Sequence, residues 1–120
     1  MKLETSASGV YAIAPTPFLE DGAIDWTSVD RMTDFYFACG CNGFTLLGVL
    51  GEATKLDAEE ALALVTRVVR RAAGGQIIVG VSAPGFAAMR RLARQSMDLG
   101  AAGDMLAPAP GLRGGAGRAR

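Results

Sequence analysis

An α/β fold built on a parallel sheet is what this sequence of 120 residues predicts, on three observations. Short apolar runs of β-type residues alternate with amphipathic stretches of helical period. The runs recur about every 30 residues, the length of a strand, a helix and a return. Each helical stretch closes on glycine, the residue that most readily takes a left-handed conformation past a helix end. Consecutive parallel strands joined by right-handed helical crossovers produce this pattern.

The first strand is expected over residues 10–14 and ends at Pro15-Thr16-Pro17-Phe18, where the prolines exclude a helix; Asp21-Gly22 marks a turn. Asp25 is placed to cap a helix whose apolar positions Val29, Met32, Phe35, Tyr36 and Cys39 recur at three and four residues, with Gly40 past its end. A second strand is expected over residues 44–47, left through Gly48-Val49-Leu50-Gly51-Glu52.

Asp57 and Glu60 have the spacing of a capping box, and Leu62, Val65, Val69 and Ala72 form the expected buried stripe of the second helix, which stops at Gly74-Gly75. Ile77-Ile78-Val79 reads as a parallel strand covered on both faces, followed by the loop Ser82-Ala83-Pro84-Gly85. In the third helix Met89, Leu92, Ala93 and Met97 are expected inward, with Arg90, Arg91, Arg94 and Asp98 outward and a weak Arg94–Asp98 pair. Gly100 ends it. A fourth strand is expected over residues 105–107. Periodicity alone leaves open whether these units form an open flavodoxin-like sheet or the first half of a (β/α)8 TIM barrel.

Half of the residues are apolar, enough to supply a core, and 12 basic side chains balance 12 acidic ones, so no net field draws the chain to nucleic acid or an anionic membrane. The first residues lack the pattern of a signal peptide, and no stretch reaches the roughly 20 apolar residues of a membrane span. A cytoplasmic location is expected. Cys39 and Cys41 are too close for an unstrained disulfide and, with no histidine in the chain, complete no metal site; they are expected to be reduced core cysteines.

Several motifs stand in register: Thr16-Pro17-Phe18 after the first strand, Asp21-Gly22 and Asp25, Gly48-x-x-Gly51-Glu52 after the second, and Leu56-Asp57-x-Glu59-Glu60 at the next helix. Gly80 closes the third strand and Leu99-Gly100-Ala101 precedes the fourth. In order and spacing, residues 9–110 resemble the dihydrodipicolinate synthase and N-acetylneuraminate lyase family. The resemblance implies the first three and a half βα units of a TIM barrel. It also implies a class I aldolase or related lyase, in which a lysine forms a Schiff base with pyruvate or another 2-keto acid. No further cofactor and no metal are implied, and family members are homo-oligomeric, as dimers or tetramers.

In that family the loop after the second strand, usually Gly-Thr-Thr-Gly-Glu or Gly-Ser-Thr-Gly-Glu, holds the keto-acid carboxylate. The resemblance therefore implies substrate binding at Gly48, Val49, Leu50 and Gly51. Here Val49 and Leu50 stand at the hydroxyl positions, and each lost hydrogen bond weakens binding by on the order of 1 kcal/mol. Val49 cannot pass a proton, which points away from the namesake synthase reaction toward a divergent branch using another 2-keto acid. Thr16 either lines the pocket mouth or caps a turn, and Glu52 either acts chemically or holds the loop.

The family's lysine and tyrosine come from the sixth and fifth strands, so no catalytic residue is assigned. Lys2 and Lys55 read as surface charges, and Tyr11 and Tyr36 as packing residues. Residues 1–8 are an expected extension, 9–110 a partial barrel domain, and 111–120, rich in Gly, Ala and Arg, a disordered and non-native tail. A frameshift after residue 110 or a partial gene accounts for that tail, and such a half-barrel is expected to be inactive and prone to pair with another half. Asp104 is anomalous on a buried strand, where an unpaired charge costs several kcal/mol. The alternative is a non-enzymatic flavodoxin-like module binding a small anion through residues 48–52 or acting on a protein partner.

Overall fold

The computed structural model describes residues 2–4, 6–82 and 85–106. The Ala83-Pro84 pair of the third loop and the tail expected over 111–120 lie outside them. Four strands, β1 (Tyr11–Ile13), β2 (Gly43–Leu46), β3 (Gln76–Gly80) and β4 (Gly103–Met105), alternate with α1 (Trp26–Ala38), α2 (Ala58–Ala72) and α3 (Phe86–Asp98). A single 3₁₀ turn, Ala53–Lys55, precedes α2.

All strand pairs are parallel, in the order β1-β2-β3-β4. A flavodoxin-like sheet would carry its second strand outside its first. The consecutive order, with α1 packed on α2 and α2 on α3, is that of a barrel wall. It removes the structural basis of the flavodoxin-like alternative.

Pairing assigns the two faces. Phe44 lies beside Ile77 and Leu46 beside Val79, and these four are buried against the helices. Ile13, Thr45 and Ile78 share a row on the other face, where Ile13 remains 56% exposed. The expected covering of β3 on both faces is therefore met only on the helix side among the described residues.

The caps form as the local sequence dictates. Asp25 accepts from the Ser28 amide at 3.1 Å, and Asp57 and Glu60 exchange hydrogen bonds in a complete capping box at 2.8 and 3.1 Å. Asp57→Ala is expected to lower stability by about 1 kcal/mol, read as a shift in a urea melt.

The helix faces differ from the sequence expectation. On α1 the buried positions are Val29 and Thr33, whereas Phe35 is 63% exposed and Cys39 is exposed. Thr33 can be buried because its hydroxyl donates to the Val29 carbonyl at 2.9 Å, which satisfies its polar atom within the helix. Cys41 is half-buried, so the cysteines are free, as expected, but are not core residues. On α2 the stripe is Ala61, Leu64, Val65 and Val68, with Val69 and Ala72 at its margin. Leu62 lies off it, facing the cleft shared with α3.

On α3, Leu92, Ala93 and Met97 pack on the core as expected and Ser96 is fully buried. Arg94 and Asp98 form no ion pair among the described residues. Strand β4 begins two residues before the expected run, because pairing with Ile78, Val79 and Gly80 selects Gly103, Asp104 and Met105. On this edge strand Asp104 is exposed, which relieves much of the expected burial cost, although partial desolvation still raises its pKa. The N-terminal segment is tied to the sheet, with Leu3 donating to the Ala102 carbonyl at 2.8 Å.

Charged side chains join α1 to α2 on the outside. Arg67 lies over the Trp26 ring and binds Asp30 through two nitrogens, at 3.0 and 2.9 Å. Arg71 binds Asp34 in the same way, at 3.0 and 2.7 Å. Hydrogen bonds from these guanidinium groups hold the Asp30 and Asp34 carboxyls below the ordinary carboxylate range, and the Ser28 hydroxyl does the same for Asp25.

A carboxyl whose folded pKa is depressed contributes stability above its unfolded pKa and loses it as pH falls through the lowered value. Melting temperature is therefore expected to fall below about pH 4, and an R67A/R71A double variant to flatten that fall. Asp104 acts with the opposite sign, favouring the fold most in acid. The measurement is a series of thermal melts across that range.

Candidate functional site

The carboxyl ends of parallel strands are where barrel sites assemble, because the loops that follow converge there. Strand β2 ends at Leu46, and buried Leu47 turns into the left-handed region at φ 60°. This turn requires Gly80 on the neighbouring strand: a Cβ there would lie 2.3 Å from the Leu47 carbonyl oxygen. Residues 49–52 then close a tight turn in which the Glu52 amide donates to the Val49 carbonyl at 3.0 Å.

Gly48 and Gly51 are buried at the base of this turn, while Val49 is 98% and Leu50 56% exposed at its apex. Among the described residues, the amides of Gly48, Val49, Leu50 and Gly51 donate to no backbone or side-chain acceptor. Successive unpaired amides around a tight turn can bind an anion without any side-chain donor.

Thr16, on the loop after β1, is 5% exposed, and its hydroxyl donates to the Gly51 carbonyl at 2.6 Å. It therefore lies under the turn and joins the first loop to the second. Glu52, at φ 55°, is held by Lys55, whose Nζ lies 2.6 Å from its carboxylate. That contact favours the loop-holding role for Glu52 and occupies Lys55.

Met105 reaches toward the same place from β4: a Cβ on Gly48 would sit 3.5 Å from its Cε. From sequence alone, Met105 is expected only as a strand residue. Its approach to a residue 57 positions earlier follows from sheet order, which one sequence does not display. Tyr11, read as a packing residue, hydrogen-bonds Gln76 across Gly43 on the face away from the helices. Tyr36 does pack, with its ring 5.2 Å from that of Phe44.

A separate cleft of about 300 Å³ lies between α2 and α3, lined by Leu56, Ala58, Ala61, Arg91, Leu92 and Gln95 among others. The turn over 48–51 is not part of it. Among the described residues no group of three or more His, Cys, Asp or Glu side chains could hold a metal ion, and no helix is long and apolar enough to cross a membrane.

A consecutive four-stranded parallel sheet with its helices packed in sequence along one face is the N-terminal part of a TIM barrel. The family model described as Dihydrodipicolinate synthetase family matches residues 6–109, and the chain belongs to that family. The 4-hydroxy-tetrahydrodipicolinate synthase of Laribacter hongkongensis is 41% identical over 95 residues, covering 78% of this chain and 33% of the relative.

The crystal structure of a dihydrodipicolinate synthase from Rhodopseudomonas palustris superposes with a TM-score of 0.88 at 65% identity, covering 92% of this chain and 36% of that one. A chloride-inhibited dihydrodipicolinate synthase from Acinetobacter baumannii, solved in complex with pyruvate, gives 0.78 at 30% identity, over 82% of this chain and 34% of that one. The chain thus spans about a third of the length of these relatives and matches the N-terminal part of their barrel. By family it is a lyase-type sequence.

Proposed function

We propose that this chain carries the carboxylate-binding part of the active site of a Schiff-base lyase acting on pyruvate or another 2-keto acid. The observation that carries the reading is the set of unpaired amides over residues 48–51 at the carboxyl end of β2. These amides hold the carboxylate, and their direction is maintained by Thr16, a positioning residue, through the Gly51 carbonyl. The pyruvate complex of the Acinetobacter relative supports a keto acid as the ligand class.

In such a lyase a lysine amine attacks the keto carbon, water leaves, and the resulting iminium draws electrons from the bond to be broken or made. The lysines of this chain are Lys2 and Lys55. Lys55 is exposed at the surface with its Nζ held on the Glu52 carboxylate, so it is not placed to serve as the Schiff-base amine. The turn also carries no hydroxyl to relay a proton, which favours a keto-acid reaction other than the namesake synthase step.

The experiment has two readings on the 120-residue chain. Titration with pyruvate, followed by ¹⁵N–¹H NMR, is expected to shift the amides of residues 48–51; unchanged amides at saturating pyruvate would overturn the proposal. Borohydride treatment in the presence of pyruvate is expected to leave the intact mass unchanged. A covalent adduct would show that this chain forms the Schiff base itself.

A further inference from the structure

The apex of the carboxylate-binding turn is apolar, and its neighbours are apolar too. Val49 and Leu50 are exposed at 98% and 56%, and Ile13, Met105 and Leu106, at the same edge of the sheet, are exposed at 56%, 44% and 61%. Apolar side chains of this size at the edge that carries the unpaired amides, with Met105 close to Gly48, offer a surface to a ligand's apolar group.

The polar groups of the turn are already engaged or face elsewhere. The Glu52 carboxylate is held by Lys55, the Thr16 hydroxyl is spent on Gly51, and Arg91 lines the separate cleft between α2 and α3. Among the described residues of the turn, the main-chain amides of 48–51 are the donors left to take a carboxylate. Beside them, a ligand's charged or hydroxylated tail would lose water without gaining a partner.

We infer that Val49 and Leu50 select a 2-keto acid bearing an apolar alkyl or aryl substituent in preference to pyruvate or a polar-tailed keto acid. The inference rests on the carboxylate reading of residues 48–51 and adds the substrate class. The carboxylate lies on the amides, and the substituent lies against Val49, Leu50 and Met105. Covering part of a phenyl ring and the two side chains beneath it gives an expected preference of at least about ten-fold.

The test is NMR titration of the 120-residue chain with phenylpyruvate, pyruvate and oxaloacetate, followed on the amides of residues 48–51. Phenylpyruvate is expected to bind at least about ten-fold more tightly than either of the others, and a V49T/L50T variant to remove that preference. Both changes fall on exposed positions, and the dispersion of the variant's spectrum reports directly on its fold. Equal or tighter binding of pyruvate, a preference that survives in the variant, or phenylpyruvate shifts confined to other residues would overturn the inference while the carboxylate reading stands. Failure of all three acids to move these amides would overturn both.

Discussion

Gly43→Ala is expected to lower the melting temperature of this chain by at least about 10 °C, because the added methyl meets backbone that cannot step aside. A Cβ on Gly43 would lie 1.9 Å from the Gln76 carbonyl oxygen and 2.9 Å from its carbon. Gly43 pairs with Tyr11 on one side and Gln76 on the other, so relieving the contact parts β2 from β3 and breaks the Tyr11–Gln76 hydrogen bond. Overpacking of this kind costs about 3 kcal/mol or more where main chain must move, against a total stability of only about 5–15 kcal/mol for a domain. Gly48→Ala is the control: its methyl would meet only the flexible end of Met105 at 3.5 Å, and the melt should move by less than about 1 kcal/mol. Thermal melts of the two variants side by side make the measurement.

Phe44→Ala is expected to cost about 3–5 kcal/mol. The ring is fully buried on the helix face of β2, and its centroid lies 5.2 Å from that of Tyr36 and 5.6 Å from that of Phe37. Truncation leaves a cavity that a strand paired on both sides cannot collapse to fill. Phe35→Ala removes an equal volume from a side chain that is 63% exposed, and should stay within about 0.5 kcal/mol of the parent. Urea melts that gave the two variants similar losses would contradict the assignment of the α1 face.

Those two phenylalanines show where a single sequence stops being informative. Hydrophobic spacing places Phe35 in the α1 stripe and leaves Thr33 out, yet Thr33 is 1% exposed. Its hydroxyl satisfies itself on the Val29 carbonyl one turn back, so a polar residue occupies the core without the usual cost. Ser96 on α3 is fully buried too, but its hydroxyl has no hydrogen-bond partner among the described residues. On α2 the apolar residues span more than one face, and only contact with the sheet selects Leu64 and Val68 over Leu62.

The candidate site divides in the same way. The glycine-bounded turn at residues 48–51 was legible, since its residue types and its place after an apolar run are local. That Thr16 holds the turn from 35 residues away, that Gly80 makes room for Leu47, and that Met105 closes in from β4 were not.

The sequence by itself determined the kind and order of the elements, the caps at Asp25 and Asp57, and the left-handed glycines at Gly40 and Gly100, with φ of 95° and 109°. Each depends on torsion angles and hydrogen bonds reaching no further than about four residues. The tertiary structure alone decided the β1-β2-β3-β4 order, the buried face of each helix, the register of β4 and the support beneath the turn. These depend on which distant side chains meet, and the same local pattern is compatible with more than one such set until the sheet is assembled.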